Sequence, residues 1–184
     1  MAGLSTKYCQ DLCPHRAALA GAMPRPYPFG MTSPLIITRS DPTEPQTRAL
    51  LEASHALMLQ LFPPEDTYVL PVDDLLADTI RFFTARRGTK VLGTGALAIR
   101  TGYGEVKSMF TATEDRGRGV AAALLRRIED TARAEGLTLL RLETGITLAA
   151  AVRLYARHGF TRCARFGDYA ENATSLYMEK HLIA

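Results

Sequence analysis

Arg116-Gly117-Arg118-Gly119-Val120-Ala121-Ala122 decides the reading of this chain, because it sets a turn almost free of side chains in front of a strongly amphipathic helix. Glycine reaches backbone conformations closed to other residues and lets a ligand approach the main chain. The first N–H groups of the following helix have no intrahelical partner, and the helix dipole adds partial positive charge where Arg116 and Arg118 add full charges. Such a turn suits phosphate. Alone, it is better read as a solvated basic turn before an ordinary helix, so its flanks must decide.

Downstream, Ala121, Leu124, Leu125, Ile128 and Ala132 recur at helical spacing while Arg126, Arg127, Glu129, Asp130 and Arg133 face away, and Gly136 closes the helix. Leu137 to Glu143 then reads as a buried strand, Leu148 to His158 as a second helix stopped by Gly159, and Phe160 to Phe166 and Ser175 to His181 as two closing strands. Upstream, Leu35 to Arg39 is a β-branched strand and Asp41 to Leu61 a helix ended by Pro63-Pro64. A short helix is expected around Asp73 to Ala77. Strands over Thr79 to Arg86, Lys90 to Ile99 and Glu105 to Thr111 follow, with turns at Gly88 and Gly102. That order gives an α+β fold around one mixed sheet.

Two nucleotide-binding readings compete for the turn. Gly117 to Ala122 satisfies G-x-G-x-x-(G/A), and Glu143 ends the next strand at about the distance of a ribose-binding acid. A dinucleotide turn, however, follows its strand almost at once. Here Ala112 to Arg116 intervenes, and too little chain remains for further βαβ units. A P-loop needs Gly-Lys-(Ser/Thr), which is absent from the turn.

The bulk numbers fit one domain with a real core: 184 residues, 47% hydrophobic, 22% charged, net charge +3 and pI near 8.9. Basic residues are scattered among acids, against nucleic acid as a partner. No apolar run approaches the ~20 residues of a membrane span. Three cysteines make no disulfide framework and point to a reducing cytoplasm. Cys9, Cys13 and His15 lack a fourth ligand at zinc-like spacing, so no metal is expected. Residues 1–34, with Pro24, Pro26, Pro28 and Gly30 in succession, read as a disordered leader or an upstream extension before Met31, and residues 35–184 as one unit.

A strand, a short polar link, Arg-Gly-Arg-Gly-Val-Ala and a long helix resemble the acetyl-CoA signature of the GNAT N-acetyltransferases, (Gln/Arg)-x-x-Gly-x-(Gly/Ala), filled here by Arg116, Gly119 and Ala121. The family's second motif is matched by Leu154-Tyr155-Ala156-Arg157-His158-Gly159-Phe160. Within the family, the segments around Glu105 to Phe110, Leu142 to Gly145 and Phe166 to Tyr169 are similar to small bacterial acetyltransferases of undefined substrate. The resemblance implies a three-layer fold with a mostly antiparallel sheet of six or seven strands, splayed after the fourth. It further implies transfer of an acetyl group from acetyl-CoA to a primary amine of a small molecule or peptide, by direct attack in a ternary complex.

Carried over, the backbone of Met109, Phe110 and Thr111 should pair with pantetheine and meet the thioester carbonyl. The amides of Arg116, Gly117, Arg118, Gly119, Val120, Ala121 and Ala122 should receive the pyrophosphate. Tyr155 resembles the general acid for the departing thiolate, although periodicity alone makes it a packed ring. Glu105 on the fourth strand is the expected base, acting directly or through water, and Glu143, Asp168 and Tyr169 are further residues for the acceptor side. Leu148 stands where the family often has asparagine, and Thr113 replaces a common proline. The first departure motivates an alternative, a CoA-binding sensor or partner-binding module without turnover. The resemblance also implies a homodimer.

Overall fold

The computed structural model describes residues 33–182. The expected leader, with Cys9, Cys13 and His15, lies outside the described residues but for its last two positions. Seven strands, β1 (Leu35–Arg39), β2 (Ile80–Arg87), β3 (Lys90–Arg100), β4 (Tyr103–Thr111), β5 (Leu139–Gly145), β6 (Thr161–Arg162) and β7 (Ser175–His181), form one sheet in the order β1-β2-β3-β4-β5-β7-β6. Every neighbouring pair is antiparallel except β4 and β5. The helices are α1 (Pro45–Leu61), α2 (Val120–Ala134) and α3 (Ala149–Arg157). Among the described residues no helix is long and apolar enough to cross a membrane.

Strand alternation divides the core between the two faces of the sheet. Leu97 of β3 joins Phe83, Ala85 and Val106 beneath Leu124, Leu125 and Ile128 of α2. Its neighbours Ala96 and Ala98 turn the other way, toward Phe82 and Leu51 of α1. Helices therefore cover both faces, which gives the expected three layers. The continuous burial of β2 and β3 follows, and each fully buried leucine contributes about 1.5–3 kcal/mol.

Two boundaries differ from the sequence reading by more than two residues. The helix expected from Asp41 begins at Pro45, because the Asp41 carboxylate accepts the Thr43 N–H at 2.7 Å and its hydroxyl at 2.6 Å, closing a turn before the helix. The strand expected over Phe160 to Phe166 has only Thr161 and Arg162. Beyond them the chain leaves the sheet, so that Phe166 and Tyr169 bury their rings edge to face at 5.4 Å.

The fold's opening lies between β4 and β5. Their pairing is confined to Gly104 with Leu140 and Glu105 with Arg141, after which β4 runs on to Thr111 without its neighbour. On the other side β4 bulges against β3: the register shifts between Thr94 and Ala96, and Ser108 takes φ 53° while the Thr94 hydroxyl donates to its carbonyl at 2.9 Å. After the bulge, the Ala112 N–H reaches back to the Leu92 carbonyl at 2.9 Å. Alternation then turns the backbone groups of Thr111 and Met109 to the open edge.

Candidate active site

The gap becomes a cavity of about 160 Å³ that reaches both faces of the sheet. From α3 it is lined by Leu148, Ala151 and Tyr155, from α1 by Leu51, Ser54, Met58 and Phe62, and from β4 by Val106 to Phe110. The segment Asp66 to Leu70 and the β5 end, Glu143 to Gly145, complete the wall with Thr174.

At the outer end of β4 stands the glycine turn. Gly117 and Gly119 take φ 75° and 80°, and a Cβ on either meets nothing within 4 Å, so conformation rather than space requires glycine there. Gly119 caps α2 and no side chain bonds the helix start. The Ala123 N–H to Gly119 carbonyl bond, 3.0 Å, opens the helical ladder. The amides of Val120, Ala121 and Ala122 therefore precede that ladder and are available to an anion. The two acids of the link are already matched. Asp115 is buried and receives Lys90 at 2.8 Å and Arg118 at 3.3 Å, while Glu114 receives Lys90 at 3.2 Å. Arg116 donates to the Thr111 carbonyl at 3.3 Å across the open edge of β4.

Tyr155 enters the cavity from α3, its ring edge-on to Phe160 at 5.9 Å. Burial, and secondarily the charge of Glu143, push its phenol above the ordinary tyrosine range, so it remains a proton donor at any working pH. Leu148, the residue at the α3 N-cap, provides no side-chain cap, as its substitution for a polar residue implied.

Glu105 is placed differently from the sequence expectation. It is 4% exposed and does not line the cavity. Its carboxylate is engaged on both oxygens: the Tyr169 hydroxyl donates to one, which Lys107 also approaches at 3.6 Å, and Arg100 donates to the other at 3.2 Å. A carboxylate so enclosed is held by its partners and stands back from the cavity. Tyr169 is buried in the same network, and Asp168 is exposed outside the cavity.

Glu143 is the carboxylate that β5 does bring to the wall. Leu140 and Leu142 face the α2 side, so Arg141 and Glu143 face the other. Among the described residues its one hydrogen bond comes from the Ser175 hydroxyl at 2.7 Å. Desolvation raises its pKa, against the lowering effects of that bond and of Lys107 and together with the raising charges of Glu105 and Asp66. Asp66 accepts from Thr174 at 2.7 Å beside it. Nothing in the local pattern singles out Asp66, Ser175 or Phe62. A signal for the last existed in Gly145, which ends its strand where a Cβ would collide with the edge of the Phe62 ring.

The chain matches the model of the acetyltransferase (GNAT) family over residues 47–160. It is 43% identical over 148 residues to an IAA acetyltransferase of Azospirillum brasilense, spanning 79% of this chain and 97% of that one. It is 37% identical over 145 residues to the uncharacterized N-acetyltransferase YedL of Escherichia coli, spanning 77% of this chain and 91% of that one. Among solved structures, a Klebsiella pneumoniae protein described as an acyl-CoA N-acyltransferase superposes with a TM-score of 0.68 at 32% identity, covering 81% of this chain and 98% of that one. The PaiA N-acetyltransferase of Thermoplasma acidophilum, solved with coenzyme A, shares the fold with a TM-score of 0.65 at 17% identity, covering 81% and 99%. With the splayed sheet, the glycine turn and both sequence motifs in place, the chain belongs to the GNAT acetyltransferase family, whose chemistry is acetyl-CoA-dependent acyl transfer.

Proposed function

We propose that this protein transfers an acetyl group from acetyl-CoA to a primary amine of a small molecule, by direct attack in a ternary complex formed by residues 35–184. The observation that carries the reading is the gap itself: an unpaired β4 edge, a cavity lined from both faces of the sheet, and a buried phenol on its wall.

These residues fit acetyl-CoA. The amides of Val120, Ala121 and Ala122, with Arg116 and Arg118 beside them, suit the pyrophosphate. The open-edge backbone of Met109 and Thr111 suits the amides of the pantetheine arm, which would add to β4 as an extra strand. Acetyl-CoA supplies an activated thioester carbonyl and a thiol leaving group. An N–H on the β4 edge aimed at that carbonyl stabilises the charge developing on its oxygen. Because its pKa lies above that of a thiol, Tyr155 keeps its proton in the resting site and gives it up only as negative charge develops on the departing sulfur, so transfer is coupled to C–S cleavage. The direct route needs no nucleophilic side chain, and no cysteine or serine with an adjacent base lines the cavity among the described residues.

Membership in the family and the transferase names of its relatives favour turnover over a binding-only module. Incubation with acetyl-CoA and a broad amine panel, following free thiol, should show acceptor-dependent release. A protein that binds CoA in a thermal-shift assay yet releases no thiol with any amine is a sensor and not a transferase.

A further inference from the structure

Resting on the transferase reading above, we infer that the acceptor is a primary amine on an apolar body without a carboxylate, and that its nitrogen docks on Glu143, which takes its proton.

Two features of the cavity carry this. Its α1 wall is apolar, with Leu51, Met58 and Phe62 facing Leu70 and only Ser54 interrupting them. Its β5 end is acidic, since Glu143 and Asp66 both reach it. Lys107 is the sole cation among the described lining residues, and it is spent: its ammonium donates to the Tyr169 hydroxyl at 2.8 Å and the Tyr68 carbonyl at 3.4 Å and lies 3.6 Å from Glu105. An acceptor bearing its own carboxylate would meet two carboxylates and no free donor cation. One bearing a second ammonium beyond the reach of Asp66 would lay it on the apolar wall, where an unpaired charge is costly. A single ammonium with an apolar substituent satisfies both ends.

Glu143 is suited to the proton. Its second oxygen has no hydrogen-bond partner among the described residues, and it shares the wall with Tyr155. The groups facing it are Lys107 and Glu105 from β4, Asp66 from the α1–β2 connection, Tyr155 from α3, Tyr177 from β7 and Tyr169 from the β6–β7 loop. Desolvation brings its pKa upward, in the direction that improves a base working near neutrality. In the step, Glu143 takes one proton from the bound ammonium and later releases it to water. The freed lone pair forms the C–N bond to the acetyl carbon, and the C–S bond breaks with its pair on sulfur. Tyr155 protonates that sulfur and regains a proton from the second nitrogen hydrogen. The balance is amide, thiol and one proton to solvent.

The test compares phenethylamine, spermidine and phenylalanine as acceptors by free-thiol release, with wild type and Glu143→Gln. Phenethylamine should exceed the other two at least tenfold in kcat/KM. In Glu143→Gln its kcat/KM should fall at least tenfold near neutral pH and recover as pH rises toward the acceptor's own ammonium pKa, near 10. The thermal shift given by CoA should be unchanged in the variant, which separates a lost base from a lost fold. Preference for spermidine or phenylalanine, or an unaltered pH profile in Glu143→Gln, would overturn this inference and leave the transferase reading standing. Thiol release with no amine at all would overturn both.

Discussion

The two ends of the cleft are made of different material. The outer end, from Thr111 to Ala122, offers main-chain groups, held by two glycines in a conformation other residues resist and by a helix with no side-chain cap. The inner end offers side chains: Glu143 with Ser175, Asp66 with Thr174, and an apolar wall from α1. Main-chain recognition tolerates sequence change everywhere except at the glycines, whereas side-chain recognition alters with any one residue. That division suits a protein that keeps one donor in common with its relatives and a private acceptor.

Substitutions can break the comparison in order of effect. Tyr155→Phe, at the junction of the two ends, should lower kcat about 10²–10⁴-fold, the range for removing a general acid, while the CoA thermal shift persists. Single-turnover thiol release measures it. A drop under tenfold would make Tyr155 a packing residue.

Next, Gly119→Ala forces a side chain into φ 80°, at a cost of about 1–2 kcal/mol. The KM for acetyl-CoA should rise about 5- to 30-fold with the acceptor KM unmoved, since nothing lies within 4 Å of the new methyl. A change confined to the acceptor would reverse the assignment of the two ends.

Glu105→Gln should act on stability more than on chemistry. It removes the charge shared with Arg100 and Lys107 beneath the acceptor end, costing about 1–3 kcal/mol by denaturant unfolding. The pH profile should keep its acid limb. Loss of that limb in Glu105→Gln, but not in Glu143→Gln, would return the base to β4.

The smallest effect concerns Glu143 and stability. Desolvation raises its folded pKa above the unfolded value, so its contribution is most favourable below the unfolded pKa and is lost as pH rises through the folded one. Glu143→Gln should therefore melt slightly higher than wild type at pH 8 and no higher at pH 4, by calorimetry at both values.

The order of elements was legible because each has local punctuation: Pro63-Pro64 after α1, Gly136 after α2, Gly159 after α3. The outer end of the cleft was legible for the same reason, as glycine spacing is a local signal. Glu105 and Glu143 were not separable in that way. The partner that encloses Glu105 is Tyr169, and the one that orients Glu143 is Ser175, both brought in by the chain's return as β7 and the loop before it. A strand pattern states which face a carboxylate takes but not who waits there. The strand at β6 was expected but drawn too long, since Phe166 reads as a strand residue until the rings of Tyr169 and Tyr103 are seen edge-on about it.

Gly145 has a consequence of its own. The Phe62 ring rests on bare backbone there, so α1 and β5 stand as close as a hydrogen atom allows. A methyl at that position would push the ring, and the wall that carries it, outward. The width of the inner end is thus set where Gly145 meets Phe62, and a one-codon change at the glycine would move the ring that walls the cavity without altering any charged or hydrogen-bonding group in it.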